Sequence, residues 1–264
     1  MGGLGNQMFQ YAFGRALSLR YDTPLILDIN SFNVERTYPY PYVLDKFKIV
    51  NANLKPEGNT RKEHWPGFDG DLLLPFDESM MFEGYFQDEN YFKQCRNVLL
   101  EELTLEMNFM DRNLLAMERM IQGRVSIFIH VRRGERKEGV GKKNQGLVSM
   151  DYYLKAINMM KQWFKEPRFI FFTDDYEWTA ANFNEKDSII IGPKDFVDYH
   201  SMYLMSKCDH AIIPNSAFSW WGAWLMRNPY KIIIAPKSWT PDPSRSNVNI
   251  VPSSWIRVDP KFIT

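Results

Sequence analysis

The chain has 264 residues, 45% of them apolar, and its formal charges cancel to zero at neutral pH. Those values specify a globular protein long enough for one large or two small domains, and they exclude a disordered chain. A neutral balance gives no global attraction to nucleic acid. The two cysteines, Cys95 and Cys208, are too few for a disulfide framework. Together with the lack of a basic, apolar leader and of any run near the roughly 20 apolar residues of a membrane span, they predict a cytoplasmic protein. Peripheral association with the cytoplasmic face of a membrane is left open.

The opening MGGLGNQMFQYAFGRAL puts three glycines ahead of apolar residues at Met8, Phe9, Ala12, Phe13, Ala16 and Leu17. This spacing predicts a helix with one buried face and Asn6 as its N-cap. Thr23–Ile29 (TPLILDI) reads as a short buried strand. Loop, helix and strand make the middle of a βαβ unit, so the expectation is a chain whose first strand is missing, a truncated form. Residues 33–78 hold the loop-like stretches YPYPY and HWPG. Met80–Tyr85 predicts a strand, Asp88 begins a helix to about Leu100, and Asn108–Gln122 is amphipathic and ends at Gly123. The boundary falls there, giving domains 1–122 and 123–264.

The second half alternates. Strands are predicted at Val125–Val131, Arg168–Thr173, Ser188–Ile191, His210–Pro214 and Lys231–Ala235. Helices are predicted at Met150–Phe164, Phe196–Ser206 and about Phe218–Arg227. Such alternation predicts a doubly wound parallel sheet, which binds ligands at the carboxyl ends of its strands.

Three motifs sit at those ends. HVRRGE, His130–Glu135, closes an apolar strand with two arginines and a carboxylate. Guanidinium forks suit phosphate oxygens, and alternation along a strand sends one arginine to each face. One therefore meets ligand while the other braces the sheet; surface ion pairing of both is the plainer alternative. In NSAFSWWGAWL, Asn215–Leu225, a strand turns into a helix at Asn215, Ser216, Ala217, Phe218 and Ser219. Free N–H groups and serine hydroxyls there suit an anion, whereas capping by Asn215 or Ser216 is the structural alternative. Trp220, Trp221 and Trp224 read as core. FFTDD ends on Asp174 and Asp175; a carboxylate there can accept from the N1–H and N2 amino group of guanine, or simply cap the next helix. The glycine loop with Gly3 and Gly5 permits close backbone approach to a ligand. The four histidines are scattered, and no metal-ligand spacing is evident.

Taken together, GGLGNQMFQYAFGRAL, EGYFQDENYF, HVRRGE, FFTDD and NSAFSWWGAWL resemble, in order, the motifs of bacterial α-1,2-fucosyltransferases of glycosyltransferase family 11. The resemblance runs from residue 2 to about residue 240. It implies an α/β glycosyltransferase B fold, with two Rossmann-like domains facing a central cleft and no cofactor or bound metal. The partners implied are GDP-β-L-fucose as donor and a galactose-containing glycan as acceptor, with inversion at fucose C1. Arg132, with His130 and Arg133 beside it, matches the donor pyrophosphate site. Ser216–Ser219 match the phosphate-binding helix start, and Asn6 and Gln7 match the loop facing the fucose. Glu135 stands where the family usually has aspartate, and Ala217 where serine is frequent. Glu135 and Asp28 are the general-base candidates. Another sugar-nucleotide transferase of the same fold, or a nucleotide-sugar binding protein impaired in catalysis, are the alternative readings.

Overall fold

The computed structural model describes residues 2–33, 40–55, 57–64, 67–75, 79–134, 145–245 and 249–263. The chain forms two compact units, Met1–Glu106 and Met107–Thr264.

In the first unit, α1 spans Leu4–Tyr21. Its N-cap is Gly3, not Asn6. The Gly3 carbonyl accepts from the N–H groups of Asn6 (2.9 Å) and Gln7 (3.1 Å), which places Asn6 inside the first turn. The six apolar positions that predict the helix are all buried. Phe13 stacks on Phe86 at 3.9 Å between centroids and meets Tyr91 edge-on at 5.2 Å. A single turn, α2, follows at Asn30–Asn33.

TPLILDI is not a strand. It is bonded on one side, where Ala52 N–H donates to the Leu25 carbonyl (2.8 Å) and Leu27 N–H to Asn51 Oδ1 (2.9 Å). Among the described residues it joins no ladder, and strand conformation needs a partner to satisfy its peptide groups. A parallel pair, β1 (Asn59–Lys62) and β2 (Met80–Glu83), makes a two-stranded sheet. α1, residues 23–29 and β2 border a cavity of about 1110 Å³. The helix expected from Asp88 is broken. Asp88 caps one 3₁₀ turn, Glu89–Tyr91, and Phe92 (φ −139°) interrupts the helical backbone. A second turn then leads into α3, Arg96–Glu102.

The second unit begins earlier than the sequence boundary. Asp111 caps α4 (Arg112–Gln122) through Leu114 N–H, 2.8 Å. α4 packs on α7, Asp198–Ser206, with Tyr203 Oη donating to Glu118 at 2.8 Å. That burial of Leu114 and Ile121 draws residues 107–122 into the second unit.

Its remaining elements are β3 (Ser126–Val131), α5 (Met150–Trp163), β4 (Arg168–Thr173), α6 (Tyr176–Asn182), β5 (Ile189–Ile191), β6 (His210–Ile212), α8 (Ala217–Trp224), β7 (Ile233–Pro236) and β8 (Ile256–Val258). All six strands pair in parallel, in the order β5-β4-β3-β6-β7-β8. This is the doubly wound order, and it reverses direction between β3 and β6. Alternation along β3 sorts the core. Ile127, Ile129 and Val131 pack in one cluster with Tyr152, Tyr153 and Ile157 of α5. His130 faces the other way, its ring 5.7 Å from Phe218 of α8. Trp220, Trp221 and Trp224 are buried, as core. No helix among the described residues is long and apolar enough to cross a membrane.

Candidate functional site

The crevice at a strand-order reversal is where doubly wound sheets place ligands. Here the ends of β3 and β6 flank it, and HVRR and the start of α8 meet there. β3 and β4 are in register with Val131 opposite Thr173, so the arginines and the aspartates emerge side by side.

The two arginines, just beyond the end of β3, meet different partners. Arg133 turns toward α6. Its guanidinium carbon lies 3.7 Å from the Trp178 ring centroid, and its Nε donates to Asp175 at 3.3 Å. This arginine braces the sheet edge. Arg132 donates from Nη1 to Asp174 Oδ2 at 2.7 Å. The other Asp174 oxygen accepts from the Arg133 N–H, also at 2.7 Å. Asp198, at the start of α7, feels the same guanidinium. Loss of water on one side raises its carboxyl, although the residue is exposed overall, and the Arg132 charge opposes that rise.

β6 ends at Ile212, and α8 begins three residues after the Pro214 turn, at Ala217. Ser216 occupies the N-cap with no side-chain capping bond. Asn215 donates its Nδ2 to the carbonyls of Gln145 (2.6 Å) and Trp239 (2.9 Å), which ties the turn before α8 to two other segments. The Ser216 hydroxyl therefore leaves the first turn of α8 uncapped from its own position, and the positive end of the helix dipole lies at the carboxyl end of β6. Ser219 differs from the expectation. It is fully buried and donates to the Ser216 carbonyl at 3.3 Å, so it presents no hydroxyl to a ligand. Ala217 and Phe218 are half-buried at the turn.

The glycine-loop candidates lie in the first unit. Gln7 is spent on the chain itself: its Nε2 donates to Gly2 (2.9 Å) and Pro41 (2.8 Å), and its Oε1 accepts from Val43 N–H (3.0 Å). Asn6 accepts from Gln87 at 2.8 Å. Gly3 caps α1 and Gly5 is buried within it. Asp28 is exposed and accepts from Asn30 N–H at 3.0 Å. Glu135 lies outside the described residues. Among those described, no three His, Cys, Asp or Glu side chains gather as a metal site.

Three contributors escape sequence reasoning. Trp178 and Asp198 approach the arginines only through the fold. Tyr153 donates its hydroxyl to the His130 carbonyl at 3.1 Å, clamping the end of β3 from beneath. The Tyr152–Tyr153 pair on an apolar helix face, carrying hydroxyls into a core, was the available signal.

The sheet order defines an α/β protein of the doubly wound class, with two arginine–aspartate pairs at the carboxyl ends of β3 and β4. The model for glycosyl transferase family 11 matches residues 2–259. An alpha-1,2-colitosyltransferase from Escherichia coli is 32% identical over 98% of this chain and 97% of its own length. The O-antigen biosynthesis glycosyltransferase WbnK, also from Escherichia coli, is 28% identical over 97% and 98%. The NodZ alpha-1,6-fucosyltransferase structure soaked with GDP-fucose covers 92% of this chain and 93% of its own, at 14% identity and a TM-score of 0.50. The fold is of the glycosyltransferase B class. The chain belongs to glycosyl transferase family 11.

Proposed function

We propose that this glycosyltransferase moves L-fucose from GDP-β-L-fucose to the 2-hydroxyl of a galactoside, with inversion and without a metal, in surface-glycan synthesis. The observation that carries the reading is Arg132, held by Asp174 at the strand-order reversal, where α8 also begins with Ser216 as an N-cap that makes no side-chain capping bond. The acceptor oxygen forms a bond to fucose C1 as the bond from C1 to the β-phosphate oxygen breaks. The electron pair leaves with GDP, and the hydroxyl proton passes to a base, for which Glu135 and Asp28 are the candidates. Negative charge grows on the pyrophosphate, where the guanidinium and the first N–H groups of α8 stabilise it. His130 and Phe218 border the same crevice. The 2-linkage draws support from the colitosyltransferase, and the donor from NodZ and the motif resemblance.

The colitosyltransferase also favours a second reading, in which the transferred sugar is colitose. Purified protein given a galactoside acceptor and either GDP-fucose or a colitosyl donor, in excess chelator, separates the two. Fucosylated product with chelator present is the expected outcome. Product from the colitosyl donor alone, or complete loss of transfer that divalent metal restores, overturns it.

A further inference from the structure

Asp174 was one of two carboxylates able to read guanine, yet its geometry is that of a clamp. One oxygen holds the Arg132 side chain and the other holds the Arg133 main chain, both at 2.7 Å. A carboxylate that reads the N1–H and N2 amino group of guanine aims both of its oxygens at the base edge, and each oxygen can accept about two hydrogen bonds. The oxygens of Asp174 point into its own chain. Gly134 enforces the arrangement. A Cβ built there would stand 2.8 Å from Asp174 Oδ2 and 3.3 Å from Cγ, so any side chain at 134 would push the carboxylate out of this position. The β3–β4 register delivers both partners to the same level.

We propose that Asp174 is the positioning residue of Arg132. It fixes the plane of the guanidinium against the crevice, and nucleobase reading falls to another group. This rests on the proposed function only in taking Arg132 as the pyrophosphate's partner. A long side chain with several rotors aims poorly unless one of its nitrogens is tethered. The bridge to the Arg133 amide also ties the strand end to the tether, so Asp174 sets where the cation sits as well as how it turns.

The experiment compares wild type with Asp174→Asn, Asp174→Glu and Gly134→Ala, measuring fucosyl transfer and the binding of GDP and of IDP, which lacks the N2 amino group. The expected result for Asp174→Asn is a loss of kcat of about 100-fold, the scale of an ångström's misplacement. GDP and IDP affinities should fall by one common factor, leaving their ratio as in wild type. Gly134→Ala should reproduce this with the carboxylate intact, and Asp174→Glu should recover part of the loss. A GDP-to-IDP ratio that collapses toward unity in Asp174→Asn makes Asp174 a guanine reader and overturns the inference. Wild-type kinetics in both Asp174→Asn and Gly134→Ala overturn it equally. If the wild type itself binds no nucleoside diphosphate, the functional reading fails instead.

Discussion

Arg132 and Arg133 are adjacent and chemically identical, yet their side chains meet different partners. Arg133 is committed to Trp178 and Asp175, whereas Arg132 stands at the crevice with Asp174 behind it. Replacing Arg132 with alanine should lower kcat by about 10²- to 10³-fold, the usual consequence of removing one preorganised charge stabiliser. Arg132→Lys should also be poor, because an ammonium cannot replace a planar fork held at one corner. Steady-state kinetics on protein with an unchanged melting temperature is the check, and near-normal turnover in Arg132→Ala refutes the role. That two arginines close an apolar strand is legible in the sequence, since SIFIHV reads as a buried strand and HVRR ends it. What each arginine meets is not legible. Trp178 and Asp198 are set by parallel crossovers that bring distant residues together, and no local spacing encodes them.

At the scale of elements, α7 and α8 show how closely the second unit is packed. Gly222 faces Met205, and a Cβ built at 222 would lie 2.8 Å from both Met205 Cβ and Sδ. The Cβ is tied to the α7 backbone, so turning the methionine side chain does not relieve the clash. Gly222→Ala should therefore destabilise the unit by about 1–3 kcal/mol through overpacking, despite the better helix propensity of alanine. Thermal or urea unfolding measures this, and an unchanged midpoint would show that the helices separate freely. The central strands were readable because buried parallel strands are apolar throughout, as in SIFIHV and RFIFFT. β1 was not, because NTRK is almost wholly exposed and carries no apolar pattern. TPLILDI misled for the opposite reason: its composition is that of a strand, but pairing depends on neighbours that composition does not report. Ser219 misled similarly, since a hydroxyl at a helix start serves a ligand or the helix itself with the same sequence.

For the whole molecule, the alternating pattern after residue 123 was sufficient to foresee the doubly wound sheet, and the strand-order reversal then located the crevice. The division between units was not foreseeable from Gly123, because the partner of α4 is chosen by packing against α7. The two units also differ in how their backbones are secured. In the second, β3 has hydrogen-bonded neighbours on both sides. In the first, β2 pairs within a two-stranded sheet, and residues 23–29 join no ladder among the described residues and line a large cavity.

That cavity has a kinetic meaning. Amide protons of residues 25–29 and 80–83 are released by small local openings, whereas those of 127–130 and 169–172 await loss of the whole sheet. Hydrogen–deuterium exchange should therefore be biphasic along the chain, with the first group labelled orders of magnitude sooner. Uniform exchange across both groups would show that the chain opens as a single cooperative body.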